Sequence, residues 1–220
     1  MKNAFDIETI ADETVVDMMP EPEIDSRLKD PEKIERASAE AKAKQIEKMG
    51  LDPFTGRVCS FSFHGESKSF FRVVPEISDA AEIDIISELL NNLCIGRPEG
   101  ANEIITWNGY SFDFPFVYKR AAILRINLPP DCPPMRYWSK KYSNDPHCDL
   151  MQELSGWDVS KRININLAGK RLLGRGKTER DYATYADLIR SGKGEQIGLD
   201  NICDTQLTFD IYKTVEQYLF

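Results

Sequence analysis

The chain predicts an α/β fold, an open mixed sheet covered by helices, on three observations. Apolar residues alternate with a period of two over residues 57–64, and they recur at helical spacing over 77–95 and from residue 199 onward. The two patterns interleave as three strands, a helix, a short strand and further helices. The 220 residues, 41% hydrophobic and 29% charged, suffice for one substantial core. The expected organisation is a single domain over 1–220, with a helical insertion at about 12–52.

Residues 2–7 read as a short first strand running into Asp6-Ile7-Glu8-Thr9, and residues 12–25, with Pro20 and Pro22, read as irregular. Asp30 and Pro31 then supply an N-cap and a first helical residue. The Ala-, Glu- and Lys-rich stretch to Met49 carries Glu32/Arg36 and Glu40/Lys44 at helical spacing before Gly50 closes it. Its apolar stripe of Ile34, Ala41 and Ile46 is thin, so the helix is expected to be exposed. In residues 57–64, Cys59, Phe61 and Phe63 face one side and Val58, Ser60 and Ser62 the other, and residues 67–74 follow Gly65 as a hairpin partner. Ala81, Ile85, Leu89 and Leu93 mark a helix ended by Gly96, Pro98 and Gly100. Residues 103–107 are a short buried strand, 112–124 a helix, and 147–155 begin another short element, with His147 and Asp149 expected to end a strand near the site. The last helix carries Ile202, Leu207, Ile211, Val215 and Leu219 as its apolar stripe.

The five cysteines are scattered without a CxxC pair, which argues against a disulfide framework and against a structural zinc site. The start of the chain lacks a basic-then-apolar leader, and no apolar run approaches the roughly 18 residues of a membrane span, so a cytoplasmic location without membrane association is expected. A net charge of -8 is unfavourable for nucleic-acid binding as a whole. The sign varies along the chain, however: Lys161, Arg162, Lys170, Arg171, Arg175, Lys177 and Arg180 face the single acid Glu179. That run suits either a phosphate backbone or a solvated face that balances acidic neighbours.

Asp6 and Glu8 are two apart on a strand, so both carboxylates project from one face, about 7 Å apart along the chain. Alone, such a pair is equally a solvent-facing strand end. Asp113 opens a helix after the turn at Asn108-Gly109, where an acid is also favoured by the helix dipole. Asp200, Asp204 and Thr208 recur at spacing four on the last helix, and the repulsion between the two acids would be relieved by a cation.

Together these segments resemble the DEDD superfamily of 3'-to-5' exonucleases, in particular the family similar to the proofreading domain of family B DNA polymerases, which includes stand-alone phage versions. Phe5-Asp6-Ile7-Glu8-Thr9 resembles its first motif, Asn108-Gly109-Tyr110-Ser111-Phe112-Asp113 its second, and Asp204-Thr205-Gln206-Leu207-Thr208 with Ile211-Tyr212 its third. His147-Cys148-Asp149-Leu150 and Leu172-Leu173-Gly174-Arg175-Gly176-Lys177 also look like segments of that family. The resemblance implies a ribonuclease-H-like α/β fold and two Mg2+ or Mn2+ ions held by Asp6, Glu8, Asp113 and Asp204. It further implies a substrate of single-stranded DNA, with RNA as the alternative, positioned by Thr9, Asn108 and Phe112 and stacked on Tyr110. A role in DNA replication or repair, such as proofreading, would need a separate polymerase or other replication protein as partner.

One departure bears on catalysis. The family usually places a tyrosine four residues before the last Asp, or a histidine five before it, to orient the attacking water; here those positions are Asp200 and Leu199. Asp200 serves as a general base in an acidic variant of the site, or marks a silent module that only binds nucleic acid or a replisome component. A competing register puts Gln206 in the metal position and Ile202 in the tyrosine's; Asp204 is preferred because Thr208, Ile211 and Tyr212 then fall where the pattern expects them. A structure-specific endonuclease on the same fold is a further alternative.

Overall fold

The computed structural model describes residues 1–94, 104–177 and 184–220. The fold is built on a five-stranded mixed sheet in the order β3-β2-β1-β4-β5. Its strands are β1 (Asn3–Ala11), β2 (Gly56–Gly65), β3 (Ser69–Val73), β4 (Ile104–Thr106) and β5 (His147–Asp149). β1, β4 and β5 run parallel, while β2 and β3 form an antiparallel hairpin against β1. The three parallel strands therefore point their carboxyl ends to one edge, where ligands of open α/β sheets bind.

Seven helices surround the sheet among the described residues: α1 (Pro31–Met49), α2 (Asp79–Cys94), α3 (Asp113–Ile123), α4 (Leu150–Ser155), α5 (Ile165–Leu173), α6 (Tyr185–Arg190) and α7 (Glu195–Leu219). The pleat sends alternate β1 residues to opposite faces. Phe5 and Ile7 join the larger core with Phe61, Phe63, Ile86, Leu89, Phe114 and Val117 from β2, α2 and α3. Ala4 joins a second core with Ile165, Ala168, Leu207 and Ile211 from α5 and α7. Asp6 and Glu8 lie on Ala4's side of the strand, toward α7.

β1 continues past the expected residues 2–7 through the acidic pair, because β2 pairs with it along its whole length. The alternation expected for 57–64 breaks at Val58, which lies in the larger core beside Cys59. The register shifts between Glu8 and Thr9, with Glu8 opposite Ser60 and Thr9 opposite Val58, so one extra β2 residue rotates the strand. Asp30 caps α1 with its side chain on the Glu32 N–H, Pro31 starts the helix, and only Met49 is buried along it. Arg36 pairs with Glu40 at 3.8 Å rather than with Glu32. The irregular stretch after β1 includes a 3-10 turn at Glu13–Met18. The Gly96, Pro98 and Gly100 helix stop, residue 103 of the expected strand, and Glu179 and Arg180 of the basic run lie outside the described residues.

An internal ionic network ties the larger core together. Arg120 of α3 and Glu82 of α2 are 2% and 1% exposed and pair through two hydrogen bonds of 2.8 and 2.6 Å. Glu82 also accepts the Val58 N–H at 3.0 Å, and Arg57 reaches Asp12 at 2.9 Å.

Candidate active site

The site forms where α7 crosses the sheet. Opposite Asp6 and Glu8 on β2 stand Ser62 and Ser60, both fully buried. These small side chains leave room for the helix. The Ser62 hydroxyl donates to the Asn201 carbonyl at 3.1 Å and meets the Thr205 hydroxyl. Further along, a Cβ on Gly198 would fall 2.0 Å from the Phe71 ring, so only glycine lets the start of α7 lie this close to β3.

That docking brings Asp204 over the strand: ligand oxygens of Asp6, Glu8 and Asp204 all lie within 4.8 Å of one another. The register that places Gln206 in this position is thereby disfavoured. Asn201, one helical turn before Asp204, donates to Asp6 Oδ2 at 3.1 Å. Lys177 closes the other side with its ammonium on Asp204 Oδ2. Asp113 stands beside these three at the β4 edge of β1. β4 is too short to pair with β1 beyond Ala4, and Asp113 Oδ1 accepts the buried Ile7 N–H at 3.1 Å instead. Asp200 lies one turn earlier on α7, 8% exposed, and is not among the three whose oxygens converge.

The electrostatics are those of a crowded anion cluster. Burial, then the charges of Asp113, Glu8 and Asp204, push Asp6 well above the usual carboxylate range. Burial, then Asp204, raises Glu8 to about 7, against the opposing pull of Lys177 and Asn201. Burial raises Asp113 to about 8 despite the hydrogen bond from Ile7. Burial alone would lower Lys177, but Asp204, Asp6 and Glu8 outweigh it and hold its ammonium charged. An all-carboxylate set of hard oxygens at this spacing fits Mg2+ or Mn2+, and a cation there would offset both the burial and the repulsion that raise these groups.

The second motif forms a tight turn at the end of β4. Asn108 adopts a left-handed φ of 74°, and a Cβ on Gly109 would fall 2.4 Å from Thr106 Oγ1. Asp149, at the end of β5, accepts the Asn108 and Tyr110 N–H groups at 3.1 and 2.9 Å and so fixes the loop. Of the expected substrate contacts, Tyr110 meets Trp157 edge-on and Phe112 packs on Phe116 at the start of α3. Thr9 sits at the bulge, its hydroxyl on the Gly50 carbonyl. Trp107 is partly buried against the second core. His147 is a core linker, held by Thr106 Oγ1 and the Trp138 carbonyl, both at 2.7 Å, and burial lowers it to about 4. His64 bonds Ser69 at 2.9 Å on the β2–β3 hairpin.

Sequence reasoning missed Asn201 and Lys177. Asn201 carried a usable signal, since it lies three residues before Asp204 on one helical face. Lys177 lay within the basic run, of which Arg175 also pairs with Asp210 and Lys161 with Asp158 at 3.4 Å. Among the described residues, no helix is long and apolar enough to cross a membrane.

Residues 54–218 match the family model described as "Predicted 3'-5' exonuclease related to the exonuclease domain of PolB". The matched span contains Asp113, Asp200 and Asp204 but begins after Asp6 and Glu8. No curated protein matches the chain by sequence. Among solved structures, the chain is similar to the family B DNA polymerase from the hyperthermophilic archaeon Pyrobaculum calidifontis, with a TM-score of 0.57 and 12% identity. The similarity covers 98% of this chain and 24% of that one, and it identifies the fold as ribonuclease-H-like.

Proposed function

Because the chain belongs to the family of predicted 3'-5' exonucleases related to the exonuclease domain of PolB, we propose that it hydrolyses phosphodiester bonds at the 3' ends of single-stranded nucleic acid, DNA in preference to RNA. The observation that carries this reading is the convergence of Asp6, Glu8 and Asp204 from β1 and α7 on one point within 4.8 Å. Bound there, two Mg2+ or Mn2+ ions would neutralise the scissile phosphate and lower the pKa of a water. Asp6, Glu8 and Asp204 would hold the ions, with Asp113 completing the set from the β4 edge of β1. Lys177 supplies a positive charge at the edge of the cluster, on Asp204, where it would lie near a bound phosphate.

Asp200 orients and deprotonates the water in this scheme, in the position where the family usually carries a tyrosine. Thr9, Asn108 and Phe112 position the terminal nucleotide, and Tyr110 stacks on a base. A separate polymerase or other replication protein is the partner for which such trimming would serve proofreading.

A second reading, a silent module that binds nucleic acid without cutting it, is favoured by Asp200 in the tyrosine's place and by the Lys177 ammonium already seated on Asp204. Digestion of end-labelled single-stranded DNA with magnesium, manganese or chelator separates the two. The exonuclease yields stepwise shortening that needs the metal and stops at a 3' block but not at a 5' block. Equal sensitivity to both blocks would indicate an endonuclease, and binding without cleavage under either metal would indicate the silent module.

A further inference from the structure

We propose that Tyr110, Trp157 and Tyr142 form a stacking platform for the unpaired bases behind the 3'-terminal nucleotide, with Lys140, Lys141 and Arg162 along the phosphates. The substrate it assumes rests on the exonuclease reading above.

The three rings are contiguous. Trp157 meets Tyr110 at a centroid distance of 5.4 Å and Tyr142 at 5.2 Å. The row begins at the catalytic edge, because Tyr110 lies in the loop between Asn108 and Asp113 with its amide on Asp149. It runs outward to Tyr142, which is 69% exposed, so burial of that ring does not account for its place.

The backbone is bent to build it. Four non-glycine residues have positive φ among the described residues, and two of them are Trp157 at 62° and Tyr142 at 60°. A third, Asn108 at 74°, turns the loop that carries Tyr110. Bulky residues rarely adopt this conformation, and where they do the strain clusters at ligand sites. Trp157 takes it at the C-terminus of α4, where its amide closes on the Gln152 carbonyl at 2.8 Å. Its indole N–H is pinned to Glu153 at 3.1 Å, which fixes the ring plane before any ligand arrives.

Cations flank the rings. The Lys141 ammonium lies 4.9 Å from the Tyr142 ring centroid, and the Arg162 guanidinium reaches the Ser111 hydroxyl, next to Tyr110, at 3.5 Å. Lys140, next to Lys141 in sequence, is exposed, with its ammonium over the neighbouring Tyr137 ring at 5.0 Å. Aromatic faces interleaved with cations are what single-strand binding sites use, since every base has a face to stack and the backbone needs charge.

The test compares wild type with Trp157→Leu, Trp157→Phe and Tyr142→Leu, reading polarisation of a dye-labelled oligo(dT) 12-mer in chelator and its hydrolysis with manganese. Leucine retains apolar bulk but no ring face, whereas phenylalanine retains both, so a purely structural role would treat the two alike. The platform predicts that each leucine variant weakens 12-mer binding by about tenfold and raises KM in proportion, while kcat stays within about twofold and Trp157→Phe recovers most of the loss. The ratio of KM between a dinucleotide and the 12-mer should shrink in the leucine variants. Wild-type-like binding in both leucine variants overturns the proposal, as does the absence of 12-mer binding by wild type. Trp157-dependent binding by a wild type that cuts under neither metal would support the platform while refuting the exonuclease reading.

Discussion

Asp6, Glu8 and Asp113 resist ionisation first because each is buried and then because neighbouring carboxylates crowd it, Asp204 beside Glu8 and Asp149 beside Asp113 among them. Removing one of these carboxylates therefore relieves repulsion while removing a proposed ligand. Asp6→Ala, Glu8→Ala and Asp113→Asn should each lower hydrolysis by roughly 10³-fold or more, the scale of a lost metal contact worth several kcal/mol. The melting temperature in chelator should hold or rise, and near-normal turnover in any one variant would remove that residue from the site. Asp200 and Asp204 act differently in the proposed scheme. Asp200→Asn should slow kcat by ~10²–10⁴ without weakening metal binding, as expected for a lost general base. Asp204→Asn should instead raise the metal concentration needed for half-maximal rate and be partly rescued by more metal. Identical rates for wild type and Asp200→Asn at saturating manganese would exclude Asp200 from the proton transfer.

At the scale of elements, α7 decides where the site forms, and its seat is polar as well as apolar. Ser62, Thr205 and Gly198 set how closely it approaches the sheet, while Leu207 and Ile211 bury its other contacts. The sequence showed α7's apolar stripe and the Asp200/Asp204 spacing, because both follow from a period of 3.6. Nothing local indicated that the serines of β2 would be its docking surface. α2 and α3 are joined by a buried ion pair, and here a variant should act on stability. Arg120→Met leaves the Glu82 carboxylate buried without its main partner and should cost about 3–5 kcal/mol in urea unfolding. Removing both charges together, in Arg120→Met with Glu82→Leu, should cost less than that. A double variant as unstable as the sum of its parts would mean that the pair is not coupled.

For the whole molecule, the acidic cluster makes stability depend on pH and on metal. Glu8 titrates at about 7 and Asp113 at about 8 in the folded, metal-free protein, well above where the same groups ionise in an unfolded chain. Through that window the folded state holds more protons than the unfolded one, so stability is greatest on the acid side and is lost as pH rises through these values. Urea unfolding in chelator should thus show a fall on the order of a few kcal/mol between about pH 5.5 and about pH 8.5. Excess magnesium or manganese should flatten it, and so, in part, should Asp113→Asn. A flat profile in chelator would contradict the burial and crowding of these carboxylates. The sequence by itself determined the α/β class, the helix caps at Asp30 and Pro31, the carboxylate pair on β1 and the turn before Asp113, since each depends on a short-range period or a single residue's backbone preference. The match over residues 54–218 stops short of that carboxylate pair. The sequence also favoured Asp204 over Gln206, and the packing agrees; only the tertiary structure decided that Lys177 joins the cluster and that Tyr142 and Trp157 line up with Tyr110. These depend on how distant elements pack, which no local pattern encodes.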